Sequence, residues 1–197
     1  AIVAAELAFA RLAREEGQWT AFRETAAEDA VLATPELVNA QEWLKNRADP
    51  PQPVEWQPHK IYISCDGSMG AAIGAWQDAK GKTGYFTTIW EQQDFGKRRR
   101  RGQDIEYKWV FDHGAPVDEP IAEPDFIETR VASCKGKVGA AIPPARGANI
   151  RSKQSQDRTL LWVAEGAADK SYSLSVTLWN GEAFEVVIED QVDAPAP

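Results

Sequence analysis

The chain has 197 residues, of which 43% are hydrophobic and 26% are charged, and its formal net charge is −8. This composition is typical of a globular protein and excludes a disordered or collagen-like chain. The negative charge argues against nucleic acid as the main partner, because phosphate binding requires a basic face. No stretch reaches the ~20 apolar residues that a membrane helix needs, so we expect no membrane span.

Apolar residues at helical spacing predict three helices in the N-terminal part of the chain. They are expected over 1–16, from about 20 to 29, and from 39 to a point before 50. In the first helix, Glu6 is assigned to the charged face. The third helix is expected to begin at Asn39, whose side chain can cap it together with Glu42 three residues later. A short strand at 30–33 separates the second and third helices, and four prolines within 49–58 predict an ordered linker.

The hydrophobic period then changes from 3.6 to 2, which predicts antiparallel strands joined by hairpins. Four strands are expected, over 60–65, 69–77, 84–94 and 105–112. Helices followed by hairpin-spaced strands argue for an α+β fold in which the helices cover one face of a sheet. The segment Lys97–Arg101 carries five consecutive positive charges between two of these strands. We expect it to be a solvated hairpin loop, with contact to an anionic lipid or polymer as the functional alternative.

The remainder of the chain contains a long Pro- and Gly-rich segment and a second group of strands. A short helix over 125–133 is the one element expected in the excursion that extends to 158. Three strands follow, over 160–164, 172–179 and 184–189, and a hairpin at Asn180–Gly181 joins the last two. These strands either extend the first sheet or form a separate β-lobe, and attachment is favoured because three strands alone bury little surface.

The two cysteines, Cys65 and Cys134, are 69 positions apart and belong to no metal-binding motif, so we expect no metal site. They are either two reduced thiols or one disulfide. Both are followed by turn-like sequence, which suits a bridge between loops. A bridge over this span would stabilise the fold by roughly 4 kcal/mol and would require an oxidising compartment.

Residues 1–114 resemble the nuclear-transport-factor-2-like superfamily, on its SnoaL-like side. The resemblance rests on AELAFARLAREEGQWTAF (5–22), AAEDAVL (26–32), YISCDGSMGAAIGAW (62–76), GYFTTIWEQQ (84–93) and YKWVFDHG (107–114). It implies a cystatin-like cone, in which three N-terminal helices pack on a curved antiparallel sheet around an apolar pocket, with a C-terminal β extension. The implied domains are 1–114, an excursion over 115–158, and the β extension over 159–192. Similarity to uncharacterised exported bacterial members favours the disulfide and a periplasmic location.

The resemblance also implies the kind of chemistry to look for, because enzymes of this fold place a carboxylate base opposite a hydroxyl donor. Asp112 and Glu91 are the candidate bases, and Tyr85 is the candidate donor. No catalytic motif joins them. The alternative is that Asp112 belongs to a strand-ending turn and Glu91 faces water. His59, at a strand entrance, is interpreted as a solvated histidine.

Tryptophans are unusually frequent, with eight in the chain. Those on the predicted helices and strands would either fill the core or border a partly open aromatic pocket. The candidate ligand-binding residues are Trp19, Trp43, Trp56, Trp76, Tyr85, Trp90 and Trp109.

The leading hypothesis is a protein that binds a small apolar or aromatic ligand between the helices and the sheet without a cofactor. The first alternative is a cofactor-independent SnoaL-like lyase or isomerase that uses a carboxylate base. The second is a homodimeric interaction module in which the pocket is not used.

Overall fold

The structure is a computed structural model that describes residues 1–93, 106–138 and 149–195. The predicted basic loop Lys97–Arg101 lies outside the described residues. The same holds for the ends of two predicted strands, at Asp94 and Ile105, and for most of the segment 139–153.

The described residues form three helices and eleven strands in two sheets. The helices are α1 (Ile2–Glu16), α2 (Gln18–Thr25) and α3 (Ala40–Leu44). Sheet A contains β1 (Ala26–Ala33), β2 (Leu37–Asn39), β3 (Glu55–Ile63), β4 (Met69–Gln77), β5 (Thr83–Gln92), β6 (Tyr107–Pro116) and β7 (Glu128–Val131). Sheet B contains β8 (Ile150–Gln154), β9 (Leu160–Gly166), β10 (Tyr172–Trp179) and β11 (Phe184–Val192).

Sheet A has the strand order β2-β1-β6-β5-β4-β3-β7. Strands β3 to β6 form an antiparallel meander, whereas β1 runs parallel to β6 and β7 runs parallel to β3. The meander is the region where the alternating pattern predicted four strands, and that prediction is confirmed. Strand β3 begins at Glu55, so the end of the expected linker is already paired, with a register shift after Pro58.

The predicted fold class is wrong. The described chain is mostly β, its larger sheet is mixed rather than antiparallel, and a second sheet of four strands replaces the expected extension. The structure is therefore not a set of three N-terminal helices on a cone. The helical content was overestimated because α3 ends after five residues and the helix predicted over 125–133 is strand β7.

The first helix is confirmed, and it ends where Gly17 adopts a positive φ of 110° that other residues rarely tolerate. The second helix stops four residues earlier than predicted. Ala26 is already extended, with φ −73° and ψ 143°, and β1 follows without a loop. Alanine favours a helix intrinsically, but here the small side chains of Ala26 and Ala30 are buried in β1. The Asn39 cap is confirmed, since its Oδ1 accepts the N–H of Glu42 at 2.9 Å.

Sheet B follows the order β11-β10-β9-β8 and is antiparallel throughout. The three predicted C-terminal strands and the hairpin at Asn180–Gly181 are confirmed. Attachment of these strands to the first sheet is wrong, because they form a sheet of their own with β8. Strand β8 lies in the segment that was expected to be an excursion, and it supplies the fourth strand that makes a separate sheet sustainable.

The two faces of sheet A are covered by different layers. On one face, Phe9 of α1 packs edge-on against Trp90 with ring centroids 5.8 Å apart. On the other face, Phe111 of β6 packs against Trp162 of sheet B at 5.3 Å. Sheet A is thus the middle layer. Consecutive residues of β5 point alternately to the helices and to sheet B, whereas a register irregularity between Trp109 and Phe111 interrupts this alternation in β6.

The turn between β3 and β4 is organised by the carboxylate of Asp66. Its Oδ1 accepts hydrogen bonds from the hydroxyls of Ser64 and Ser68 and from the backbone N–H of Ser68, at 2.7–2.9 Å. Burial acts to raise the pKa of Asp66, but these hydrogen bonds and one from the backbone of Asp157 outweigh it and lower the pKa below its ordinary value. The turn therefore favours the ionised carboxylate.

The turn between β8 and β9 repeats this arrangement around Asp157. Its Oδ1 accepts from the hydroxyl of Ser155 at 2.7 Å and from the hydroxyl and backbone N–H of Thr159 at 2.9 and 3.1 Å. The two turns also bind each other: the N–H of Asp66 donates to Asp157 Oδ2 at 2.9 Å, and the N–H of Asp157 donates to Asp66 Oδ2 at 3.0 Å. We call this reciprocal pair of turns, 64–68 and 155–159, the Asp clasp.

A disulfide between Cys65 and Cys134 confirms the bridged alternative and ties the first turn of the Asp clasp to the segment after β7. The bridge therefore fixes the chain at the point where the two sheets meet. No helix within the described residues is long and apolar enough to cross a membrane.

Candidate aromatic pocket

A cavity of about 230 Å³ opens between the helical layer and sheet A. Seven aromatic side chains line it: Phe9, Trp19, Phe22, Trp43, Trp56, Trp76 and Phe86. Four of the predicted ligand-binding tryptophans are among them. Its polar lining includes Gln18, Thr34, Thr88 and Asp112. The cavity thus combines a largely apolar wall with few polar groups, which is the usual character of a small-molecule site. We call it the aromatic pocket.

The wall of the aromatic pocket is built from rings that contact one another edge to face. Trp19 and Trp43 have centroids 5.3 Å apart, and Phe9 and Trp56 are 4.8 Å apart. This geometry places the positive edge of one ring against the negative face of another. Asp49 holds the start of α2 by accepting the backbone N–H groups of Trp19 and Thr20 at 2.5 and 3.0 Å. The wall is therefore fixed by contacts that do not involve a ligand.

Two of the predicted tryptophans, Trp90 and Trp109, do not line the pocket. They are 1% and 0% exposed and fill the core behind it. The Trp90 indole N–H donates to Glu6 Oε2 at 2.6 Å, and that of Trp109 donates to the hydroxyl of Thr25 at 3.0 Å. These two tryptophans therefore fill the core, the first of the two alternatives for the tryptophans, and they affect the pocket only through packing.

Asp112 on β6 points into the aromatic pocket and is 7% exposed. Its Oδ2 accepts the hydroxyl proton of Thr88, its partner on β5, at 2.7 Å. Its Oδ1 has no hydrogen-bond partner among the residues that the structure describes. Burial raises the pKa of Asp112 to about 8. The hydrogen bond from Thr88 acts to lower this pKa, and the charge of Glu6 makes a smaller contribution that raises it. At neutral pH the pocket therefore presents a protonated carboxyl group.

Glu6 is the residue whose role the sequence analysis missed. It was assigned to the charged face of α1 but is fully buried, and burial raises its pKa to about 7. Its two oxygens accept the indole N–H groups of Trp56 at 3.0 Å and Trp90 at 2.6 Å. A signal was present, because Ile2, Glu6 and Phe9 follow the spacing of the buried stripe of the helix.

The two buried carboxyl groups differ in how many donors they meet. Glu6 has a donor on each oxygen, which favours its charged form, whereas Asp112 has a single donor. The pKa of Asp112 is accordingly raised further, to about 8, than that of Glu6, which is raised to about 7.

The other two predicted catalytic residues lie outside the aromatic pocket. Tyr85 points to the opposite face of sheet A, where it lines a separate cleft beside β11. Glu91 accepts a hydrogen bond from Lys153 Nζ at 2.5 Å. His59 lines the same cleft as Tyr85. The structure therefore brings Asp112 together with the tryptophans and separates it from Tyr85 and Glu91.

Comparisons of the chain with protein families, with curated proteins and with solved structures found no match. Among the described residues, no group of three or more His, Cys, Asp or Glu side chains is placed to hold a metal ion. The geometry of the pocket is therefore the basis for the function considered next.

Proposed function

We propose that this protein binds a small apolar or aromatic molecule in the aromatic pocket and orients it through Asp112. The observation that carries the proposal is a buried carboxyl group in a wall of seven aromatic rings, with one oxygen that none of the described residues hydrogen-bonds. A ligand with a flat apolar body would replace water along the rings. A hydrogen-bond acceptor on that ligand, such as a carbonyl oxygen, would receive the Asp112 proton.

The test uses two matched probes, 2-acetylnaphthalene, which carries a carbonyl, and 2-ethylnaphthalene, which does not. Binding is followed by quenching of tryptophan fluorescence and by calorimetry. Both probes should bind, and Trp43→Ala should weaken both by about tenfold because it removes a large apolar contact. Tyr85→Phe, on the other face of sheet A, is the matched control and should leave both affinities unchanged. Absence of binding at saturating concentrations of both probes would refute the proposal.

The Asp112 contact has its own signature in the pH dependence of binding. The acetyl probe should lose about fivefold in affinity as the pH rises through about 8, because the carboxylate has no proton to donate. The ethyl probe should change little. Asp112→Asn donates at every pH, so its affinity for the acetyl probe should be independent of pH. A wild-type pH dependence shared by both probes would show that Asp112 does not contact the carbonyl.

A second candidate function, acid–base catalysis, is favoured by the raised pKa of Asp112 beside a free oxygen in an apolar cavity. In this proposal the Asp112 carboxylate removes a proton from a carbon next to a ligand carbonyl, as a lyase or isomerase would require. Exchange of the methyl protons of bound 2-acetylnaphthalene for deuterium, followed by proton NMR, measures that step directly. The exchange should accelerate as the pH rises through about 8, and Asp112→Asn should abolish the acceleration.

We also propose that the protein is exported and that it forms a homodimer. The disulfide supports an oxidising compartment, because such bridges persist outside the reducing cytosol. Non-reducing mass analysis of protein from its native cells should find the Cys65–Cys134 bridge, and two free thiols would contradict export. Sedimentation analysis tests the dimer, for which a monomer at all concentrations would be the contrary result.

A further inference from the structure

A second cavity, of about 600 Å³, lies on the opposite face of sheet A from the aromatic pocket. It is bordered by β3, β4 and β5 on one side and by β11, the edge strand of sheet B, on the other. Its lining includes the rings of Tyr62 and Tyr85, the aliphatic side chains of Ile73 and Val187, and the carboxylate of Asp190. We call it the inter-sheet cleft.

Asp190 is held in the inter-sheet cleft by a buried hydrogen-bond network. Its Oδ2 lies 2.8 Å from both the hydroxyl of Thr87, which donates to it, and Nε2 of His113. Nδ1 of His113 lies 3.1 Å from the hydroxyl of Tyr172. Burial raises the pKa of Tyr172 well above its ordinary value, so its hydroxyl keeps its proton and can donate to Nδ1. The imidazole of His113 thus bridges the carboxylate of Asp190 and the hydroxyl of Tyr172.

Asp190 contacts one ionisable base among the described residues, His113. Its side chain is 9% exposed, and its Oδ1 has no hydrogen-bond partner among the described residues. Lys60 also lines the cleft, but its Nζ pairs with Glu128 at 2.9 Å. Burial lowers the pKa of His59, which favours its neutral form. A nearly buried carboxylate oxygen that no hydrogen-bond donor satisfies is costly unless a ligand supplies the donor.

The hydroxyl of Tyr85 is the second free polar group in this cleft. It has no hydrogen-bond partner among the described residues, and its ring packs edge-on against His113 with centroids 5.6 Å apart. Burial, followed by the negative charge of Asp190, raises the pKa of Tyr85 to about 12. Tyr85 is therefore a neutral hydroxyl close to a carboxylate, and its oxygen can accept a hydrogen bond from the same ligand group.

We propose that the inter-sheet cleft is a binding site for a protonated amine, whose ammonium group donates to Asp190 Oδ1 and to the hydroxyl of Tyr85. A charge-assisted hydrogen bond to a partly buried carboxylate is stronger than one between neutral groups. The faces of Tyr62 and Tyr85 supply cation–π attraction, and Ile73 and Val187 cover an apolar substituent. Sheet A lies between this site and the aromatic pocket.

The test compares 2-phenylethylamine hydrochloride with 2-phenylethanol, which has the same shape without the charge. Calorimetric titration of the full chain at pH 7 should show the amine binding at least about tenfold more tightly than the alcohol. Asp190→Asn should remove that difference, and Tyr85→Phe should weaken amine binding severalfold. Asp29→Asn, an exposed aspartate of β1 that lines neither cavity, is the matched control and should leave amine binding unchanged.

Three results would overturn the proposal: no amine binding at millimolar concentration, equal affinity for amine and alcohol, or an amine affinity that survives both Asp190→Asn and Tyr85→Phe. Circular dichroism and retained binding of 2-ethylnaphthalene show whether Asp190→Asn is folded. If that variant does not fold, Tyr85→Phe decides the question, because the Tyr85 hydroxyl has no partner within the described residues and its loss leaves the fold intact. An unchanged amine affinity in folded Tyr85→Phe would then refute the site.

Discussion

Replacing Asp112 with asparagine should change how the stability of the protein depends on pH. In the folded chain the pKa of Asp112 is raised from the ordinary value of 3.8 to about 8. The folded state therefore keeps a proton that the unfolded state releases, and stability falls as the pH rises between these two values. Each pH unit corresponds to about 1.4 kcal/mol, so the loss attributable to Asp112 reaches at most about 6 kcal/mol at pH 8 and then stays constant. Asparagine has no proton to lose.

The measurement is urea unfolding of wild type and Asp112→Asn from pH 4 to pH 9, followed by tryptophan fluorescence. The free energy of unfolding of the variant, minus that of the wild type, should increase by several kcal/mol from pH 4 to pH 8. Above about pH 8 this difference should stay constant. Glu6 titrates in both proteins, so its effect largely cancels in the difference. Two curves that run parallel from pH 4 to pH 9 would show that Asp112 is ionised in the folded state at neutral pH. The role given to its proton would then be incorrect.

Three further predictions concern the surroundings of the pocket and the contact between the sheets. Reducing the Cys65–Cys134 bridge should cost about 4 kcal/mol of stability, measured by urea unfolding with and without reductant, and an unchanged midpoint would contradict it. Glu6→Gln leaves one indole N–H without an acceptor oxygen and should cost about 1–3 kcal/mol. Glu6→Asp, which keeps two oxygens but is shorter, is its control. The pKa of Asp66 is lowered, so its stabilisation is present above pH 3.8 and is lost as the pH falls through the lower folded value. The melting temperature of Asp66→Asn should therefore vary less with acid than that of the wild type.

The sequence predicted the strands whose pattern is local and missed the pairings that depend on distant segments. Alternation identified the meander and the C-terminal hairpin because each of these strands pairs with a neighbour in the chain. Strand β7 is short and lies at the edge of sheet A beside β3, whose paired residues are 68 positions earlier in the chain. The segment from Phe126 to Val131, which includes β7, carries helical spacing, yet Val131 is more than half exposed and no helix forms. Parallel pairing of this kind leaves no local pattern to recognise.

The composition of the aromatic pocket could be predicted in part from the same periodicity. Trp56 and Trp76 face each other across β3 and β4, so both indoles belong to one face of sheet A. The strand register places Asp112 and Tyr85 on opposite faces of sheet A. Asp112 pairs with Thr88, and a residue of β5 shares their face only if it lies an even number of positions from Thr88. Tyr85 lies three positions away. That register includes an irregularity between Ile89 and Trp90, which cannot be read from the amino-acid pattern. The buried position of Glu6 depends on two indoles from other strands and is likewise a tertiary property.

The Asp clasp makes the two halves of the chain mutually dependent. In each carboxylate, one oxygen accepts hydrogen bonds from its own turn and the other accepts a backbone N–H of the opposite turn. Each hairpin therefore needs the other to form all of its hydrogen bonds. A fragment that stops at residue 114 would lose the partner of Asp66 and leave the N–H of Cys65 without the hydroxyl of Thr159. Such a truncation would also remove sheet B and expose to solvent the face of sheet A that it covers. We therefore expect the protein to melt in a single step, and to tolerate insertions in its loops far better than division between its halves.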